Sequence, residues 1–315
     1  MFDIAVWTPV SAQSGFGHFY RMLGLYERLL DNGESVTYFT NENYLKIEDA
    51  NIISCETQNL NEIISFLKKN GVKTIIIDNY EVTSFDVDIL SKSFKTVCFD
   101  SQFYNNEIDI VMNFNPFALY AYPQRHKGTK YFLGLEYMPF RKKILQARKV
   151  EKSASDIFLS IGGSDVNEFT YSIIPYLPKE ESYKIVLGKG CSAEYYNKVS
   201  DRLQSLGMKY TLYHQPQDFF SILSGCQYAI SSCSTIVYEL IYFAKPFVCV
   251  NVISNQDKLS SFLRKKGILI LRRDNLSQIK DIIKDQMFSL PNGIRLLENQ
   301  SLELINSIQE LTHEN

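Results

Sequence analysis

An excess of either charge is missing from this chain. Its 315 residues carry 33 basic and 35 acidic side chains, for a formal charge of −2. A nucleic-acid partner calls for a clustered basic stripe, so that class is excluded and a small ligand is expected. No apolar run is long enough to span a bilayer, and the N-terminus has neither a basic n-region nor a small-residue cleavage site before its first apolar stretch. Both membrane spanning and secretion therefore lack support, and the expected location is the cytoplasm. Six cysteines, Cys55, Cys98, Cys191, Cys226, Cys233 and Cys249, show no C-x-x-C spacing. They read as buried free thiols, which excludes a zinc ribbon or a disulfide framework. No internal repeat, no low-complexity tract and no carboxylate cluster suited to magnesium is visible, so neither metal nor cofactor is expected.

What the chain does contain is alternation. Short apolar runs at Asp3–Thr8, Ser35–Thr40, Thr74–Asp78, Thr96–Asp100 and Ile108–Met112 are separated by segments of helical periodicity, such as Leu60, Ile63, Ile64 and Leu67. That order is the mark of a doubly wound α/β sheet. An aromatic-rich, poorly periodic stretch from Asn113 to about Arg148 reads as the crossing out of a first domain. Alternation then restarts with Ile157–Ile161, Lys184–Gly188, Tyr228–Ser231 and Pro246–Val250. The length suits two domains, drawn at 1–148 and 149–315, with the last helix-like segment, from Gly293 to about Leu311, expected to be able to pack back across the domain boundary. Ligands of open α/β sheets bind beyond the carboxyl ends of the strands, so the two domains are expected to face a shared cleft.

Several loops at strand ends carry residues fit for chemistry. Gly15-Phe16-Gly17-His18 links the first strand to a helix whose Phe19, Met22, Leu23, Tyr26, Leu29 and Leu30 recur at helical spacing. Glycines there allow a tight turn and close backbone approach, and the helix end offers unpaired N–H groups to an anion. A tight turn with a half-exposed histidine is the plainer alternative. As an imidazole titrates near neutrality, His18 is a candidate general base. His126, His214 and His313 are read as structural or solvated.

Asp78-Asn79-Tyr80 ends the triple-isoleucine strand. Capping of the next helix is the simpler reading for Asp78, whereas the phenol of Tyr80 can donate to a sugar or phosphate. Gly162-Gly163-Ser164-Asp165 and Ser231-Ser232-Cys233-Ser234-Thr235 repeat the strand, polar loop, helix arrangement, and the hydroxyls of Ser234 and Thr235 suit a diphosphate. Glu239 lies one helical turn beyond Thr235, placed either to accept from ribose hydroxyls or simply to face solvent. The amides of Asn255 and Gln256 open a further helix, as caps or as cleft residues.

Taken in order, Ser14-Gly15-Phe16-Gly17-His18-Phe19-Tyr20-Arg21, Ile76-Ile77-Asp78-Asn79-Tyr80, Gly134-Leu135-Glu136-Tyr137-Met138-Pro139-Phe140-Arg141, Ile161-Gly162-Gly163-Ser164-Asp165, Ser234-Thr235-Ile236-Val237-Tyr238-Glu239 and Asn255-Gln256 resemble the UDP-sugar hydrolase family of pseudaminic acid biosynthesis. That family has the glycosyltransferase B architecture and is related to the MurG type of glycosyltransferase. The resemblance implies two Rossmann-like domains, an amino-terminal one on the sugar and base side and a carboxy-terminal one binding UDP. It implies inverting, metal-independent attack of water on the anomeric carbon of a UDP-linked 2,4-diacetamido-2,4,6-trideoxyhexose. Under it, His18 is the base or water-positioning group, and Tyr80 and Asn255 contact the sugar or the scissile region. Gly15, Gly17, Arg21, Gly163, Ser164, Ser234, Thr235, Glu239 and Gln256 bind the substrate.

This chain departs from the family at three places. Thr8-Pro9-Val10 stands where an acidic residue is usual, Cys233 where glycine often precedes Ser-Thr, and Lys142-Lys143 where acidic residues commonly follow the arginine. These departures leave room for a different amino sugar or an acceptor other than water. A glycosyltransferase using the same cleft is thus the second hypothesis, and a catalytically silent nucleotide-sugar sensor the third.

Overall fold

A computed structural model describes residues 1–9, 17–41, 50–99, 108–120, 122, 125–147, 156–163, 165–294 and 300–314. The chain forms two compact units, Met1–Lys142 together with Leu297–Asn315, and Lys143–Leu296.

In the first unit the elements run β1 (Ile4–Trp7), α1 (Gly17–Asp31), β2 (Val36–Thr40), β3 (Ile52–Ser54), α2 (Leu60–Lys69), β4 (Thr74–Ile77), α3 (Ser84–Leu90), β5 (Lys95–Phe99), β6 (Ile110–Asn113) and β7 (Lys130–Leu133). They build a seven-stranded parallel sheet of order β3-β2-β1-β4-β5-β6-β7. Every residue of β1, β2 and β4 is buried, as expected of strands covered on both faces by helices. α1 packs through Phe19, Met22, Leu23, Leu25 and Leu29, all fully buried. Each such side chain removed from water contributes about 1.5–3 kcal/mol.

After α4 (Lys142–Ala147), the second unit runs β8 (Ile157–Ser160), α5 (Phe169–Ile173), β9 (Ser182–Leu187), α6 (Ala193–Ser205), β10 (Lys209–His214), α7 (Phe219–Ser224), β11 (Tyr228–Ser232), α8 (Ile236–Tyr242), β12 (Phe247–Val250), α9 (Asp257–Lys265), β13 (Ile270–Leu271) and α10 (Ile279–Lys284). Its six parallel strands are ordered β10-β9-β8-β11-β12-β13. Among the described residues, no helix is long and apolar enough to cross a membrane.

Two expectations need correction. The second domain does not run to residue 315: the C-terminal helix α11 (Gln300–His313) packs back across the boundary, as its sequence allowed, and belongs to the first unit. It packs on α1 and on the turn Leu135–Tyr137, with the Thr312 hydroxyl 2.8 Å from that of Thr74 and Gln309 donating to Glu34 at 2.9 Å. Burial of Leu304, Ile305 and Ile308 gives the reason. The stretch taken as a crossing also contains β7, which completes the first sheet before the units divide at 142/143.

The Gly134–Arg141 segment has a structural task. The carbonyl of Pro139 lies where a Cβ on Gly24 would sit, at 1.7 Å, so α1 meets this segment backbone to backbone. Gly24→Ala is expected to destabilise the protein by about 1–3 kcal/mol through forced separation of the two backbones. An unchanged thermal midpoint would refute that packing.

Candidate functional site

Both sheets reverse their strand order beside their first strands, and α/β proteins bind ligands beyond the carboxyl ends of strands at such a switch point. In the first unit that point lies between β1 and β4. Parallel register pairs Trp7 with Ile77, and the Asp78 amide donates to the Trp7 carbonyl at 3.0 Å. The residue after β4 is thereby set beside the end of β1 and the helix that follows.

Four predicted or weighed residues meet there. The Asp78 carboxylate, 1% exposed, has Oδ1 2.9 Å from His18 Nδ1. Arg21 donates through Nε to Asp78 Oδ2 at 2.9 Å, and through Nη2 to Oδ1. Its guanidinium carbon also lies 4.0 Å from the centre of the Phe99 ring. Tyr80 sets its ring edge to face against His18, with centroids 4.4 Å apart at 83°. Half of Tyr80 is open to solvent, whereas the His18 side chain is 14% exposed.

Burial alone would push the Asp78 carboxyl up, but the Arg21 charge and the His18 hydrogen bond hold it below the usual carboxylate range. Burial likewise opposes the charge on Arg21, and the Asp78 carboxylate, helped by the Tyr80 phenol, more than offsets that and holds its pKa above the usual value. Asp78 is therefore not a helix cap. That role falls to Thr83, whose hydroxyl accepts from the Asp86 amide while the Asp86 carboxylate accepts from the Thr83 amide. Arg21, expected to bind substrate, has its charge engaged by Asp78. Gly17 starts α1; Gly15 lies outside the described residues.

In the second unit the switch point lies between β8 and β11. Gly162 adopts φ +103°, and a Cβ on it would meet the Ser232 hydroxyl at 3.6 Å. Gly163 is exposed with open space where a side chain would project. Its carbonyl accepts from the Gly190 amide at 2.8 Å and lies 2.5 Å from where a Cβ on Gly188 would sit. The loops after β8 and β9 thus stack backbone on backbone. Sequence reasoning did not single out Gly188; its only local signal is a glycine at a strand end. Ser164 lies outside the described residues.

Asp165 takes a left-handed conformation at φ +43°. Its buried carboxylate accepts from the Thr170 amide at 3.2 Å and from the Tyr195 hydroxyl, which anchors the loop. Ser234 is half-buried with its hydroxyl 2.9 Å from that of Ser232. Thr235 is exposed at the start of α8, and its side chain makes no capping bond. Glu239 is half-buried in the first turn of α8. Asn255 is exposed in the turn Ser254–Gln256, and the Gln256 side-chain oxygen accepts from the Val252 amide at 2.9 Å.

The remaining histidines are structural or solvated. His214 Nε2 lies 2.9 Å from the Cys191 carbonyl and the ring stacks on Tyr196; His313 faces Glu34 at 3.1 Å, and His126 is exposed. All six cysteines are free, and all but Cys55 are buried. Among the described residues, no three His, Cys, Asp or Glu side chains gather in a way that could hold a metal ion.

No protein-family model matches the chain. It is 25% identical over 266 residues to UDP-2,4-diacetamido-2,4,6-trideoxy-beta-L-altropyranose hydrolase of Campylobacter jejuni, covering 82% of this chain and 94% of that protein. It is 24% identical over 232 residues to a Helicobacter pylori protein named as both pseudaminic acid cytidylyltransferase and the same hydrolase, covering 71% of this chain and 42% of that one. The chain thus spans nearly the whole of the first relative and less than half of the second. Among solved structures, Acinetobacter baumannii MurG superposes with a TM-score of 0.66 at 13% identity, covering 98% of this chain and 100% of MurG. The fold is the two-domain glycosyltransferase B type.

Proposed function

We propose that this chain, a distant relative of the UDP-2,4-diacetamido-2,4,6-trideoxy-altropyranose hydrolases, cleaves a UDP-activated diacetamido-trideoxyhexose at the anomeric carbon. UDP and the free sugar are released, in supply of nonulosonic acid biosynthesis. The observation that carries this reading is the match running over 94% of the Campylobacter jejuni hydrolase. The His18, Asp78 and Tyr80 cluster at the first unit's switch point supports it, since a base and a hydrogen-bonding phenol stand together there.

In this mechanism water attacks the anomeric carbon and gives a proton to His18 as the new C–O bond forms. The bond to the diphosphate breaks with its electron pair on UDP, and the configuration inverts. Tyr80 and Asn255 contact the sugar and the scissile region. Gly163 and Ser164, with Ser234, Thr235 and the start of α8, receive the diphosphate through hydroxyl and backbone N–H groups. No metal is required of that step. Glu239 accepts from the ribose hydroxyls, Gln256 steadies the turn that presents Asn255, and Gly15 and Gly17 are assigned to substrate binding. Arg21 serves the substrate indirectly, through Asp78.

The test is incubation of the purified protein with UDP-2,4-diacetamido-2,4,6-trideoxy-β-L-altropyranose alone, following UDP and free sugar. Release of both without an acceptor is the expected result. Turnover only after an acceptor is added would assign a transferase, and binding without turnover under either condition a sensor. Glu239→Ala is expected to raise the UDP dissociation constant about tenfold, the loss of a hydrogen bond to a charged group, with less effect on the chemical step. An unaltered dissociation constant would remove Glu239 from the ribose site.

A further inference from the structure

His18 Nδ1 lies 2.9 Å from Asp78 Oδ1 and also 2.9 Å from Arg21 Nη2. These two contacts cannot both be hydrogen bonds in a neutral ring, because one nitrogen carries the proton and the other a lone pair. With the proton on Nδ1, the ring donates to Asp78 and Nε2 is a base. With Nδ1 bare, it accepts from Arg21 and Nε2–H can only donate. The choice decides whether His18 can take a proton from water at all.

Arg21 donates to both Asp78 oxygens, Nε to Oδ2 and Nη2 to Oδ1, so the pair holds together without a bond from Arg21 to Nδ1. A bare Nδ1 would instead aim its lone pair at an anionic oxygen 2.9 Å away. A proton on Nδ1 turns that same approach into a charge-assisted hydrogen bond. We infer that Asp78, held ionised and in place by Arg21, is the positioning residue that selects the Nδ1–H tautomer of His18 and so makes Nε2 the base for water. The ring orientation is fixed by the same bond and by the Tyr80 contact. Phe99 covers Arg21, and burial, with smaller help from the Tyr26 and Asp78 charges, raises the Tyr38 phenol and keeps it neutral. The inference rests on His18 being the base of the proposed hydrolysis, and it adds what makes it one.

The tautomer can be read without substrate. In full-length protein labelled with [15N]histidine, two-bond 1H–15N correlation at about pH 8, where a free imidazole is neutral, distinguishes the two nitrogens. The His18 signals are assigned by their loss in His18→Asn. A pyrrole-type Nδ1 and pyridine-type Nε2 are expected, and a pyridine-type Nδ1 overturns the inference. Kinetics add a second arm. Asp78→Asn should lower kcat about 10²-fold with a much smaller change in KM, while in the His18→Asn background it should cost less than about 3-fold, because the two act as a unit. Full additivity of the two losses would show that Asp78 does not act through His18. Absence of UDP release by the wild-type protein would sink the hydrolase reading and leave the tautomer measurement standing. A pyridine-type Nδ1 in a protein that does hydrolyse the UDP-sugar would sink this inference alone.

Discussion

His18→Asn is expected to slow UDP release from the UDP-sugar by about 10²–10⁴-fold, the usual worth of a positioned general base, while UDP binds with little change. Asparagine keeps a hydrogen-bonding side chain of similar reach, so Asp78 and Arg21 retain a polar neighbour and the fold should persist. What disappears is the nitrogen lone pair that accepts the proton. Steady-state turnover together with a UDP titration separates the two quantities. The nucleotide is assigned to residues after β8 and β11, strands of the other sheet from the one that precedes His18, so a loss of UDP affinity would argue for a binding role. Near-normal turnover would remove His18 from the mechanism.

Arg21→Leu is expected to destabilise the protein by about 3–5 kcal/mol at neutral pH, because the Asp78 carboxylate, 1% exposed, then stays buried without its counter-charge. The size of the defect should depend on pH. In the wild-type protein the Asp78 carboxyl is held low, so its stabilisation is complete above the unfolded value of about 4 and is lost as pH falls through the lower folded value. Without Arg21, burial raises the folded carboxyl above its unfolded value. The penalty is then full at neutral pH and is relieved as acid protonates the group. The gap between wild type and variant should therefore narrow on acidification, measured by urea melts at neutral pH and about one unit above the unfolded carboxyl value. A gap that stays constant, or widens in acid, would show that Asp78 is not the group Arg21 compensates.

The central strands were legible because burial on both faces leaves continuous apolar runs: Thr74–Ile77 and Phe247–Val250 are buried at every position. Edge strands were not. Ile52–Ser54 and Lys209–His214 are only partly covered, so their composition carries no such run and they read as connection. Lys130–Leu133 was hidden for the same reason, its first two residues being exposed and half-buried. The candidate base was visible as a histidine after a glycine loop. Its partner was not, because an aspartate after a strand is locally indistinguishable from a cap. Only the absence of such a bond and the presence of the Thr83 capping box separate the two. Gly24 and Gly188 were silent, since what forbids a side chain at each is backbone from Pro139 and Gly163.

Sequence alone was sufficient for the alternating α/β order, the polar loops at strand ends, the free thiols and the resemblance to UDP-sugar hydrolases, since each is written in neighbouring residues and their spacing. Tertiary structure alone joined Asp78 to a histidine sixty positions away and turned Arg21 inward, and it decided in favour of the C-terminal helix packing back on the first unit. Periodicity reports which face of an element is buried. Which two faces or strand ends then meet depends on the parallel register of β1 with β4 and on the apolar surface left for α11 to cover, and neither is encoded within any single segment.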